Sequence, residues 1–300
     1  MVLLFTVIAL ISLTAPDSTD SAEKSNDYRE NLEEGIDAFY KADWPEARSY
    51  FDYLKKQYPD DPRAYFFESM LPFWSYFFVH RNQSNASDFM NASETAIEIS
   101  RQSLKENPSD TTSVMLLSGL YGYRSLVSAG EGEYKDAIQN AIQGFSFTRK
   151  LLALEQMKAE ARIGRGLFLY MVGNVPRELK WMTNMFSLSG DKSTGLRELE
   201  LVAESKSYAR FDAKMILAYL YRGEKKFENT LEQLDELIKE FPSNSIFHFF
   251  KAETLEEMDR KELAANSYKV VIEIDHEYFK PLVEESKNKL INFSMLGYLN

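Results

Sequence analysis

Apolar and small side chains between positions 211 and 275 recur at a spacing of 34 residues. Ala218, Thr230, Leu234 and Leu237 return as Ala252, Ala264, Tyr268 and Val271. Within a unit two small residues stand 12 apart, a bulky apolar one follows 4 later, and a proline often comes 8 beyond that. Gly35, Ala47, Phe51 and Pro59 fit this ruler, as do Ala218, Thr230, Leu234 and Pro242. Ala252, Ala264 and Tyr268 fit too, with His276 in the proline's place. Small residues belong where two helices cross closely, and a bulky one a turn later fills the space beside them. Proline cannot continue a helix, so it ends the second helix and starts the next turn. The pattern predicts helical hairpins that bury their apolar faces only by stacking on one another.

Read on this ruler, 28–61, 211–244 and 245–278 are complete units. They resemble the tetratricopeptide repeat. Ala96, Ser100 and Pro108 keep the spacing but lie 49 residues after Ala47, Phe51 and Pro59. About 15 extra residues therefore belong to that unit, and the Asn- and Ser-rich stretch 80–91 is predicted to hold them as a loop. Helices are expected over 114–127 and 134–154, with a loop at 128–133. A further pair is expected over 157–172 and 195–203, split by an insertion that begins at Val175-Pro176 and ends in a loop at 189–191. The middle block, with Gly164-Arg-Gly-Leu-Phe-Leu-Tyr170, Pro176-Arg-Glu-Leu-Lys-Trp181 and Ser189 to Leu199, is similar to the divergent repeat proteins of the inclusion-body-clearance type and their bacterial relatives. The resemblance implies an all-α, right-handed solenoid of about five to six hairpins. A last helix over 278–292, with Leu282, Leu290 and Ile291 among charges, is expected to cap it.

Forty-four per cent apolar residues and 14% aromatic ones suffice for a continuous core. Ala64 to Val79 is aromatic on all sides, and Pro72 is expected to kink or interrupt its helix. The formal charge of −11, with basic residues interspersed among acids, argues against a nucleic-acid partner and reads as a solubility device. The apolar run 1–13 has the length of a signal-peptide core and is short of the ~20 residues that span a bilayer. No Lys or Arg precedes Lys24, so the positive leading segment of a signal peptide is missing. Residues 1–22 are read as a signal peptide or an uncleaved anchor, 17–27 as a polar, mobile linker, and 23–300 as the solenoid.

Candidate chemistry is sparse. The chain has no cysteine, which removes disulfides, thiolate metal sites and a cysteine nucleophile. His80, His248 and His276 are far apart and read as a loop residue, a helix-face residue and a helix-end residue. Gly130-Glu-Gly132 and Gly164-Arg-Gly166 hold the start of a dinucleotide fingerprint, but neither follows an apolar strand. Gly164 and Gly166 read instead as packing residues. Glu253, Glu256, Glu257 and Asp259 are expected on a solvated helix face. Asn82, Asn85, Asn91 and Asn292 begin N-glycosylation triplets, which read as incidental. No catalytic residue, cofactor or metal site is nominated.

The resemblance also implies a concave groove, lined by the first helix of each hairpin, that takes a protein or peptide. Its positions fall on Leu32, Ile36, Phe39 and Tyr40, then Phe66, Met70, Phe73 and Trp74, then Met115, Gly119 and Tyr123. Met215, Tyr219 and Arg222, then Phe249, Glu253 and Glu256, complete the set. Chaperone-binding members of the family clamp a C-terminal carboxylate there with Lys, Asn and Arg; apolar and acidic residues here disfavour that. Most of these side chains also serve the core, and as a set they predict an aromatic, Met-bearing groove. The expected function is a non-catalytic, exported scaffold or adaptor for another protein. Alternatives are a membrane-anchored assembly factor, or a small-molecule binder or enzyme using 175–192 as a lid beside Trp181.

Overall fold

The computed structural model describes residues 19–153, 159–174, 189–207 and 209–297. The apolar run 1–13 and most of the insertion, Trp181 included, lie outside the described residues. Among the described residues six helix pairs and a final helix are seen, in chain order. They are α1 (Thr19–Tyr40) with α2 (Trp44–Gln57), α3 (Pro62–Trp74) with α4 (Gln83–Glu106), and α5 (Thr111–Gly130) with α6 (Tyr134–Leu152). Then come α7 (Ala159–Gly173) with α8 (Lys192–Ala203), α9 (Ala209–Gly223) with α10 (Phe227–Glu240), and α11 (Ser245–Glu257) with α12 (Lys261–Ile274). Helix α13 (Lys280–Met295) closes the stack. Each helix packs on its neighbours in sequence, and α1, α3, α5, α7 and α9 also touch in succession along one layer.

The ruler residues stand where helices cross. A Cβ on Gly35 would lie 2.7 Å from the Phe51 ring. Ala47, Phe51, Ala96, Ser100, Ala218, Thr230, Leu234, Ala252, Ala264 and Tyr268 are all fully buried. Three proline turns share one design. Tyr58-Pro59-Asp60-Asp61, Asn107-Pro108-Ser109-Asp110 and Phe241-Pro242-Ser243-Asn244 each close with a backbone bond from fourth residue to first, of 3.0–3.1 Å. Proline's fixed φ suits the second place of such a turn. The fourth residue then caps the next helix: Asp61, Asp110 and Asn244 accept the N–H groups of Arg63, Thr112 and Ile246 at 3.0–3.1 Å.

Several sequence expectations are corrected. The extra residues of the second unit are not a loop over 80–91: α4 begins at Gln83, and Asn82 caps it by accepting the Asn85 N–H at 2.8 Å. They lengthen the hairpin instead. Helix α3 runs through Pro72 and passes into a π-helical turn, Ser75–Val79, whose wider bonding takes up one of the added residues. Residues 19–27 are helical rather than linker, and Asp27 accepts from the Tyr58 hydroxyl at 3.1 Å. Helix α5 extends to Gly130, leaving a tighter turn than 128–133. On α13 the buried set is Leu282, Val283 and Phe293, whereas Ile291 faces out.

The solenoid also closes on itself. Tyr40, at the end of α1, donates to the Asp212 carboxylate on α9 and packs against Phe211 and Phe241. The Asn244 amide donates to the Tyr40 carbonyl at 2.8 Å, and the Ser243 hydroxyl to the Lys41 carbonyl at 2.9 Å. Trp44 meets Phe279 edge-on at 4.8 Å between centroids. The first hairpin is thereby fastened to the last two.

Candidate protein-binding site

Closure decides the fate of the expected groove. Of its nominated residues, Phe39, Tyr40, Phe66, Met70, Phe73, Trp74, Met115, Tyr123, Met215 and Phe249 are buried, as are Leu32 and Ile36. They form the shared core of the ring rather than an open lining, which corrects the expectation of an accessible aromatic groove. Phe73 lies 4.6 Å from Tyr123 and 5.2 Å from Phe89, ring centre to ring centre. Trp74 packs edge-on against Phe39 at 5.0 Å and reaches Phe247 of the sixth hairpin at 6.3 Å. Phe249 packs on Tyr268 at 5.6 Å. The physical reason is the size of the side chains. Each buried aromatic removes on the order of 150–250 Å² from water, so a coil able to wind tightly closes over them.

The remaining nominees, Gly119, Tyr219, Arg222, Glu253 and Glu256, are half-buried. Tyr219 packs beside Phe250. Arg222 lies over Phe250 and pairs with Glu253 at 2.8 Å and Glu257 at 2.5 Å. Glu256 accepts from the Tyr268 hydroxyl at 2.8 Å and pairs with Lys289 at 2.9 Å. These carboxylates therefore tie α9, α11, α12 and α13 together, which corrects the expectation of a merely solvated face. Burial, reinforced by the bond to Glu256, raises the Tyr268 phenol well above its usual value.

At the centre of the ring the Tyr40 hydroxyl bonds Asp212, whereas the Tyr123 hydroxyl and the Trp74 indole N–H are buried without a hydrogen-bond partner among the described residues. Burial first, then the neighbouring Asp212 carboxylate, raises the Tyr40 phenol well above its ordinary range, and the same two causes raise Tyr123. Both phenols are thus neutral at physiological pH. The histidines remain separate: His80 lies between the second hairpin's helices, His276 caps a short 3₁₀ turn, and His248 is bonded to the Pro242 carbonyl at 2.9 Å. Among the described residues no group of three or more acidic or histidine side chains is placed to hold a metal ion.

An accessible apolar stripe lies elsewhere, on α6. Tyr134, Ile138 and Ile142 are 69%, 60% and 51% exposed. Four-residue spacing puts them on one helix face, which continues into half-buried Phe145. Lys135, Gln139 and Gln143 flank the stripe and are exposed. None of these residues was singled out from the sequence. The signal was present in the width of the apolar arc: Ile138, Ile142 and Phe145 stand on one side while Gly144, Phe147, Thr148 and Leu151 are buried on the other. A hairpin helix needs only the second set.

Glycines govern the crossing of α7 and α8. A Cβ on Gly195 would strike the Tyr170 backbone nitrogen and lie 2.5 Å from the Gly166 carbonyl oxygen. Gly166 is therefore a packing residue, as expected. Gly164 is not: a Cβ there would meet only the Leu151 side chain, at 3.8 Å.

Two family profiles agree with this architecture. A tetratricopeptide-repeat profile matches residues 36–61. No curated protein matches the chain. Among solved structures, the crystal structure of the P58(IPK) TPR domain is similar, at 14% identity and a TM-score of 0.28, over 92% of this chain and 71% of that one. The profile of the family described as Iml2/Tetratricopeptide repeat protein 39 matches residues 128–280, which include the glycine crossing and the two regular hairpins. That match spans just over half of the 300 residues, and the chain belongs to the Iml2/Tetratricopeptide repeat protein 39 family.

Proposed function

We propose that the chain is a non-catalytic scaffold that holds a protein partner on the outer face of its third hairpin, along α6. Repeats of this kind generally bind proteins, and the closed ring leaves its inner aromatics no room for a peptide. The observation that carries the reading is the stripe of Tyr134, Ile138 and Ile142, large apolar side chains left in water on one helix face. Apolar and aromatic residues with little charge mark the centres of protein interfaces. The fitting occupant is an amphipathic helix laying its apolar face along the stripe. The test is capture of partners from host extract by immobilised protein, compared with the double variant Ile138→Asp, Ile142→Asp. Exposed positions tolerate the change, so helical circular dichroism should be unaltered while capture falls at least about tenfold. Undiminished capture by the folded variant contradicts the reading.

The apolar run 1–13 supports a finer version in which the scaffold acts outside the cytoplasm. Among the described residues no helix is long and apolar enough to cross a membrane. Mass spectrometry of the mature protein separates export from anchoring. An N-terminus between Ala15 and Glu23 means cleavage, and a retained run means a membrane-held assembly factor.

A further inference from the structure

Helices α5, α6 and α7 line a cavity of about 380 Å³ that is open to solvent on one side. Its walls include Met115, Leu126, Phe145, Leu167, Phe168 and Met171. Phe145 and Phe168 stack at 5.1 Å across the gap between α6 and α7. The serine and threonine hydroxyls on the wall are engaged within the protein, and the Tyr123 hydroxyl is buried without a hydrogen-bond partner among the described residues. Ser118 and Thr148 bond to each other at 2.6 Å, Thr148 donates to the Gly144 carbonyl at 3.0 Å, and Ser125 donates to the Ala137 carbonyl at 2.8 Å. The interior, lined mainly by apolar side chains, therefore suits hydrocarbon better than a body rich in polar groups.

Two glycines keep the space open. Gly122 and Gly164 both line the cavity from helix interiors, where glycine is less favourable than alanine. Close packing does not demand them: a Cβ on Gly122 would meet nothing within 4 Å, and one on Gly164 would meet only Leu151. At Gly195, by contrast, backbone stands in the way. What the two glycines preserve is volume.

One turn along α6 from Phe145, a wall residue of the cavity, the Arg149 guanidinium lies 5.9 Å from the centre of that ring. It is exposed and pairs with no carboxylate among the described residues. A cation without a carboxylate beside an apolar cavity calls for an anionic head on an apolar body. A volume near 400 Å³ falls within the ~300–1,000 Å³ of small-ligand pockets, and is too narrow for a whole helix of ~10 Å diameter. We propose that this cavity binds a long-chain carboxylic acid, its hydrocarbon among α5, α6 and α7 and its carboxylate facing Arg149.

The experiment titrates the full chain with cis-parinaric acid, whose fluorescence rises when it leaves water, and with its methyl ester. Saturable binding of one acid per chain is expected. Gly122→Leu and Gly164→Leu, which place an isobutyl group in the void, should weaken it by on the order of a hundredfold. Arg149→Gln should weaken the acid about tenfold and leave the ester unchanged. If a leucine variant loses helical circular dichroism, the smaller Gly122→Ala and Gly164→Ala are read in the same titration and should weaken binding to a lesser degree. Ile138→Asp, Ile142→Asp leaves the cavity intact and should still bind the acid, which separates this site from the partner face. No saturable binding by the wild type, or equal binding by folded filled variants, overturns the proposal. Equal binding of acid and ester, unaffected by Arg149→Gln, overturns the assignment of a carboxylate.

Discussion

Ala42, Gly132, Lys225 and Asp259 stand at one place in four hairpins and share a left-handed backbone, with φ of 66°, 83°, 60° and 59°. In each case the next residue's N–H reaches back to a carbonyl five residues earlier: Asp43 to Ala38, Glu133 to Ser128, Lys226 to Tyr221 and Arg260 to Leu255, at 2.8–2.9 Å. This is the Schellman closure of a helix end, which favours glycine at the left-handed position. Only one of the four is glycine. Lys225 is exposed and forms no ion pair among the described residues. Lys225→Gly should therefore stabilise the fold by about 1 kcal/mol in urea denaturation. His248 carries a pH dependence. Burial, its largest influence, lowers the imidazole pKa, and Lys251 adds to that, while the bond to the Pro242 carbonyl opposes it. The unfolded chain then protonates before the folded one. Its contribution is complete above the unfolded value of about 6.5 and fades as pH falls toward the lowered folded value. His248→Gln should flatten the stability profile over that acid window; an unchanged profile would contradict the assignment.

Helix pairs differ in how closely they approach, and glycines report it. At the α7–α8 crossing, Gly195→Ala would set a methyl group against backbone atoms that have no rotamer to yield. Its helix-propensity gain of about 1 kcal/mol is outweighed, and a net loss of about 1–3 kcal/mol is expected. Gly122→Ala gains the same propensity with nothing in its way and should stabilise. Thermal melts of the two variants should move in opposite directions; parallel shifts would show that space at these positions is not what matters. Regular hairpins were legible because small and bulky residues sit at crossings that admit only certain sizes. The stretched second unit was read less well. Asn and Ser over 80–91 look like loop, but a capping side chain at Asn82 turns the same residues into the first turns of α4. Local composition cannot tell a polar helix face from a loop; burial of Ala86 and Phe89 on one side does.

The whole molecule rests on closure, which repeat spacing does not encode. Each hairpin interface is local, whereas contact between Tyr40 and Asp212, or Lys41 and Ser243, joins residues 172 and 202 apart. Those partners are set by the accumulated rotation of six hairpins. Hence the groove positions were identifiable, yet their burial was visible only as an excess of aromatics at places where binding members carry Lys, Asn and Arg. For the same reason the α6 stripe went unseen: what is core and what is surface depends on where the ring shuts. Closure also explains the buried phenol of Tyr40 and the tie from Asn244 to its carbonyl.

The most direct test uses the absence of native cysteine. With Lys41→Cys and Ser243→Cys in the full chain, the introduced pair is the sole pair of thiols. A disulfide requires Cα atoms within about 7 Å, and the Ser243 hydroxyl already bonds the Lys41 carbonyl at 2.9 Å. Mild oxidation should give an intramolecular cross-link, seen as loss of both thiols and faster migration in a non-reducing gel. Two thiols that stay free in the folded monomer would mean an open coil, and would contradict the closed ring.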